Sequence, residues 1–179
     1  MMRTALVLVG LLAAGAGGAQ HSPYAGEEGR PFSSLSAEDV AALRAGEGWG
    51  LAKPAELNGW PGPRHALDLA AELELKPGQA AALEALFAAM QAEAVRTGEA
   101  YLAAEAALDA AFRSDAPEAA EIARLTAEAG RTLAAVRSAH LEAHLETRAL
   151  LSAEQVEEYV RLRGYGNGPA HGAGDHEGH

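Results

Sequence analysis

His140 and His144 stand four residues apart in AHLEAHLET, residues 139–147. One helical turn between them puts two imidazoles on one face, and neutral imidazole nitrogens bind zinc, copper, nickel and cobalt, with a Zn–N bond of about 2.0–2.1 Å. On a helical wheel with Ile122 at zero, Leu125, Ala129, Leu133 and Val136 fall between about −60° and +20°, His140 at about 0° and His144 at about 40°. The pair therefore continues an apolar stripe. That position suits a shared metal ion; it suits equally two packed rings bonded to backbone or carboxylate. A zinc protease would need H-E-x-x-H with the Glu as general base. Here the order is H-L-E-A-H, and Glu142, near about 200°, points away from the pair. No catalytic residue is expected.

A pair of imidazoles needs further donors. If the long helices described below fold back about Asp115, His140 faces the neighbourhood of Met90, a soft thioether donor, and His144 that of Leu86. A helix over residues 63–73 brings His65, Asp68 and Glu72 within about 60° of one another, so His65 and Glu72 join the candidate set. Beyond it, His171, His176 and His179 lie beside Asp175 and Glu177 in GYGNGPAHGAGDHEGH, residues 164–179. A tail so rich in Gly and poor in apolar residues is expected to be disordered by itself and to chelate only weakly, because ordering it costs entropy.

Positioning these groups falls to helices. Alanine dominates and β-branched residues are sparse, a composition that favours helix over strand. From 77 to 113 the residues Leu83, Leu86, Met90, Ala94, Thr97, Tyr101, Ala104, Leu108 and Phe112 recur every three or four positions, which predicts one helix about 55 Å long. A break at RSDAPE follows, where Asp115 and Glu118 have capping-box spacing. A second helix over about 116–150 carries Ile122, Leu125, Ala129, Leu133 and Val136. So short a link predicts an antiparallel hairpin, flanked by short helices. Gly98 and Gly130 fall nearly opposite, which suggests a close approach or bend. A second copy of the chain is the expected cover for the apolar stripes, giving a homodimer.

Helix starts are written in a repeated grammar. In LSAEQV, Leu151 is the staple residue, Ser152 the N-cap and Gln155 the residue that reaches back to the cap. The pattern recurs in LSAEDV, residues 35–40, and in degraded form in LKPGQA, where Leu75 and Gln79 remain but Lys76 cannot accept the backbone bond that Ser would. These residues read as helix-capping chemistry.

The opening MMRTALVLVGLLAAGAGGAQ has one Arg, a short apolar run and small residues at 17 and 19, the layout of a secretory signal over residues 1–19. Residues 20–62 form an arm with one short helix and a connector rich in Gly, Pro and Trp, and 63–163 the helical domain. The chain has no Cys, which removes disulfides and thiolate ligands. Its net charge of −11 argues against nucleic acid as a partner and favours cations.

One intact Leu-(Thr/Ser)-x-x-Gln start after a long helical pair, ALLSAEQVEEYVRL, and one degraded copy before it, LELKPGQAAALEALFAAM, resemble the Spy/CpxP family of periplasmic stress proteins and the related periplasmic heavy-metal sensor and resistance proteins. The resemblance covers about residues 63–163. It implies an all-α, cradle-like fold, commonly dimeric, without catalytic activity and working in the periplasm. Family members either hold unfolding client proteins without ATP or bind transition metals and report to a membrane-bound signalling partner. Two departures stand out. The family's sensors carry two His one turn apart near the N-terminal helix, whereas Pro61 and Leu69 lie four residues from His65 here. The family's client-holding surface is basic, and this chain is acidic. The expectation is a metal-binding stress protein, with an ATP-independent chaperone as the alternative.

Overall fold

A computed structural model describes residues 23–165. The signal-like segment 1–19 and the tail histidines His171, His176 and His179 lie outside the described residues. Residues 23–30 belong to a segment of their own, where Arg30 pairs with Glu27 at 3.0 Å. All regular structure among the described residues is helical: α1 (Ala37–Ala45), α2 (Lys53–Glu56), α3 (Pro63–Asp68), α4 (Pro77–Phe112), α5 (Ala119–Leu150) and α6 (Ala153–Arg163). None of these helices is long and apolar enough to cross a membrane.

The long helices α4 and α5 pack against each other. Their solvent sides are laced with Glu–Arg pairs three residues apart, Glu121 with Arg124 at 2.7 Å and Glu128 with Arg131 at 2.5 Å. Each such pair contributes only about 0.2–0.5 kcal/mol. The inner sides close two hydrophobic clusters. One joins Leu35 and Leu43 to Tyr101, Leu102 and Val136. The other joins Ala66, Leu73 and Leu83 to Leu151, Val156 and Tyr159. Full burial of one such large side chain stabilises by about 1.5–3 kcal/mol.

Capping decides where the helices begin. Ser36 Oγ accepts from Asp39 N at 3.1 Å, and Asp39 Oδ2 accepts from Ser36 N at 2.9 Å. Ser152 and Gln155 make the same reciprocal pair at 3.3 and 2.9 Å. At α4 only half the box forms, Lys76 N donating to Gln79 Oε1 at 3.1 Å. The two glutamines do more than cap. Gln79 Nε2 donates to the Leu150 carbonyl and to Gln155 Oε1, both at 2.8 Å, while Gln155 Nε2 donates to the Leu73 carbonyl at 3.0 Å. The two motifs thus clasp each other, fastening the start of α4 to the junction of α5 and α6.

Four local expectations are corrected. The helix expected over 63–73 ends at Asp68 and gives way to turns, with Glu74 at φ 49°. The break after α4 is capped differently, since Glu118 rather than Asp115 occupies the N-cap of α5 and makes no side-chain cap bond. Gly98 does mark a close approach, but its neighbour is α1: a Cβ there would lie 2.7 Å from the Leu43 carbonyl oxygen. A Cβ on Gly130 would meet nothing within 4 Å.

Candidate metal centre

Along α5 the histidines fall between Val136, which belongs to the first cluster, and Leu150 and Leu151, which pack in the second. The stripe reading holds, because His140 is 4% and His144 5% exposed. Buried polar groups in a helix are usually satisfied locally, and the threonines here comply: Thr132 Oγ1 donates to the Glu128 carbonyl at 2.9 Å and Thr147 Oγ1 to the Ala143 carbonyl at 2.7 Å. The imidazoles cannot reach their own helix in this way and look across to the connector before α3. His144 Nδ1 lies 2.9 Å from the Trp60 carbonyl oxygen. A carbonyl only accepts, so Nδ1 carries the proton, and in the neutral ring Nε2 is the nitrogen left with a lone pair. The backbone of Glu47 lies near the His140 ring and favours its charged form. His140 Nε2 has no partner, alone among buried side-chain nitrogens and oxygens of the described residues. Burial and the neighbouring His144 push the His140 pKa down, and the Glu47 backbone offsets them only in part. The ring is therefore neutral at neutral pH.

Glu56, the last residue of α2, is the group that sequence reasoning missed. One oxygen, Oε1, lies 2.8 Å from His65 Nδ1 and 3.9 Å from His144 Nε2. The other, Oε2, accepts from the Tyr165 hydroxyl at 2.9 Å and the Tyr159 hydroxyl at 3.2 Å, with Arg163 Nη2 at 3.7 Å. Burial by itself raises this carboxyl's pKa; the bonds from His65 and Tyr165 and the nearby imidazoles outweigh it, and the net shift is downward. Tyr159, fully buried beside this carboxylate, has its hydroxyl pushed well above the usual range. The carboxylate thereby joins the connector to α3, α5 and α6.

Gly62 makes the approach of Glu56 to His144 sterically possible. A Cβ at that position would sit 2.8 Å from His144 Cε1, 3.2 Å from His144 Nε2 and 3.2 Å from Glu56 Oε1. The backbone of Gly62 is ordinary extended chain, φ −92°, so its requirement is space rather than conformation.

These groups border one cavity of about 470 Å³. His140, His144, His65 and Met90 all line it, and so does Glu56. Trp49 and Phe87 supply apolar wall, while Lys53 and Arg64 line it with cationic side chains. His65 stands as the hydrogen-bond partner of Glu56 at 2.8 Å. Glu72 is not among the lining residues; it is exposed in the turns beyond α3. Among the described residues, no three His, Asp or Glu side chains stand close enough together to enclose an ion as they are. The separation of His144 Nε2 from Glu56 Oε1, 3.9 Å, compares with about 3.4 Å between two ligands of a tetrahedral zinc at ordinary bond lengths. Closing that pair requires about half an ångström.

Two signals in the sequence bear on Glu56. The Trp-containing connector had to pack somewhere, and the helices left the histidines facing it. Neither names the residue. Compared with protein-family models, with curated proteins and with solved structures, the chain matches none.

Proposed function

We propose that this is a non-enzymatic protein that binds a divalent transition metal ion, zinc, copper, nickel or cobalt, with Nε2 of His140 and Nε2 of His144 as donors and Glu56 Oε1 as a third. The reading is carried by His140 Nε2, a buried ring nitrogen with no hydrogen-bond partner, in a residue that lines the cavity together with His144. Leaving such a nitrogen unsatisfied costs about 1–3 kcal/mol, and a bound cation removes that cost. The other ring nitrogens support the same reading. Metal-ligating imidazoles characteristically donate their second N–H to a carbonyl or carboxylate, as His144 does to Trp60. His65 then orients Glu56, and Met90 is a soft donor available to copper(I). Gly62 provides the space in which Glu56 and His144 converge.

The family resemblance points the same way and adds the setting: a periplasmic stress or metal-resistance protein whose α4 and α5 form an antiparallel hairpin, working as a homodimer. Six residues, 113–118, link the two helices, and the bond from Gln79 to the Leu150 carbonyl ties the start of one to the end of the other. The client-holding alternative has less to rest on. Beyond Tyr24, the large exposed apolar side chains among the described residues are Leu57 just past α2, Phe112 at the end of α4 and Leu145 in α5.

Thermal unfolding of the full chain with zinc, copper, nickel and cobalt tests the reading. An ion at 100 times its Kd that binds only the folded state adds about 2.7 kcal/mol. His140→Ala and His144→Ala should each abolish that gain. An unchanged midpoint with every ion overturns metal binding at this cavity.

A further inference from the structure

An ion held by His140, His144 and Glu56 is one donor short of a tetrahedron. The cavity that these residues line, about 470 Å³, falls within the ~300–1,000 Å³ of sites that take small organic molecules. Resting on the metal reading above, we infer that the cavity binds a small aromatic acid, whose carboxylate supplies the fourth donor to the ion and whose ring lies against Trp49 and Phe87.

Two observations support that occupant. First, the wall suits a flat ring. Trp49, Phe87 and Met90 line the cavity, and aromatic rings and a thioether both make favourable contacts with another ring. Trp49 holds φ 44°, a left-handed conformation in which a bulky residue is an outlier that its surroundings must impose. Its indole Nε1 donates to Asp39 Oδ1 at 2.7 Å, and its ring meets that of Tyr101 at 6.3 Å between centroids. The indole is thus fixed in place before a ligand arrives, which lowers the entropy cost of binding one. Second, charge calls for an anion once the ion is present. In the lining, the cations Lys53 and Arg64 balance the carboxylates Glu47 and Glu56. A divalent ion makes that lining positive, and a carboxylate offsets part of the excess. Arg64 is also paired with Asp68 at 3.1 Å, whereas Lys53 forms no ion pair among the described residues and is the cation left to face the acid.

Ion and acid therefore bind as a coupled pair. By linkage, zinc tightens the acid by the same factor with which the acid tightens zinc, and couplings of this kind are typically about 5–150-fold. An acid without a ring has the donor and lacks the wall; a ring without a charge has the wall and lacks the ion.

The test measures, by calorimetry on the full chain, the affinity of naphthalene-2-carboxylate with and without one equivalent of zinc. Two companions separate its parts: naphthalene-2-carboxamide keeps the ring and loses the charge, and acetate keeps the charge and loses the ring. Cobalt(II) in place of zinc reports through its visible absorption whether the carboxylate reaches the ion. Zinc should tighten naphthalene-2-carboxylate at least about tenfold and leave the carboxamide unchanged, and the acid should shift the cobalt spectrum. Acetate should bind the loaded protein at least about tenfold more weakly than the naphthalene acid, and Trp49→Leu should weaken that acid several-fold without changing zinc affinity measured in its absence. The acetate comparison reads the aromatic wall without any substitution. Equal affinity for the naphthalene acid with and without zinc, or a cobalt spectrum that ignores it, overturns the inference. If zinc still binds in that case and His140→Ala abolishes its binding, the metal reading stands alone. If no zinc binds, or if the coupling survives His140→Ala, the ion is not held at this cavity and both readings fall.

Discussion

Replacing Glu56 by Gln preserves its shape and removes its charge. Its side chain is 14% exposed, so solvent screens it little. Three hydrogen bonds depend on it, to His65 at 2.8 Å, Tyr165 at 2.9 Å and Tyr159 at 3.2 Å. Bonds to a charged group contribute about 1.5–3 kcal/mol and neutral ones nearer 1. Each therefore loses about 0.5–1 kcal/mol, for a total of roughly 2 kcal/mol, given that the tyrosine hydroxyls can rotate to suit an amide. For a domain of this size 1 kcal/mol moves the midpoint by about 2–4 °C, which predicts a drop of roughly 4–8 °C. The assay is thermal unfolding of metal-free protein in a chelator, from pH 7 down to pH 4. The carboxyl's pKa is lower folded than the ordinary 4.5, so its stabilisation is present above that value and lost as pH falls through the lowered one. The gap between wild type and Glu56→Gln should stay constant from pH 7 to 5 and narrow below 4.5. A midpoint change under 1 °C, or a gap that widens in acid, would refute the view of Glu56 as the charged tie between connector and α6.

Further outcomes follow from single positions. Gly98→Ala drives a Cβ against the Leu43 carbonyl and should cost about 1–3 kcal/mol in denaturant unfolding, whereas Gly130→Ala meets open space and should add up to about 1 kcal/mol. Lys76→Ser supplies the acceptor missing at the start of α4 and should stabilise by about 1 kcal/mol; Ser152→Ala should lose about the same at α6. Gly62→Ala should weaken zinc binding by at least tenfold in a competition titration, because its Cβ occupies the space between Glu56 and His144.

Sequence patterning reached the histidines and stopped short of their surroundings, for a physical reason. The wheel that placed His140 and His144 on the buried stripe depends only on helical period, and α5 keeps that period from Ala119 to Leu150. The caps at Ser36 and Ser152 were legible because each is local, closed within three residues. What opposes the histidines is not local. Glu56 sits in a four-residue helix without periodicity, and the Trp60 carbonyl that orients His144 leaves no mark in a list of side chains. Glu72 failed to join them because the five further residues of the expected helix, from Leu69 to Leu73, lost to turns that bury Leu73 in the second cluster. The mutual bond of Gln79 and Gln155 likewise lies beyond capping grammar, since each glutamine satisfies its own helix and then reaches the other's.

Direct observation of the imidazole nitrogens of His140 and His144, by long-range ¹H–¹⁵N correlation during a zinc titration, tests the central claim. Nε2 of both rings should move from the lone-pair range to the metal-bound range with one equivalent of zinc, while Nδ1 of His144 stays protonated against the Trp60 carbonyl. Unmoved Nε2 signals at saturating zinc would contradict it.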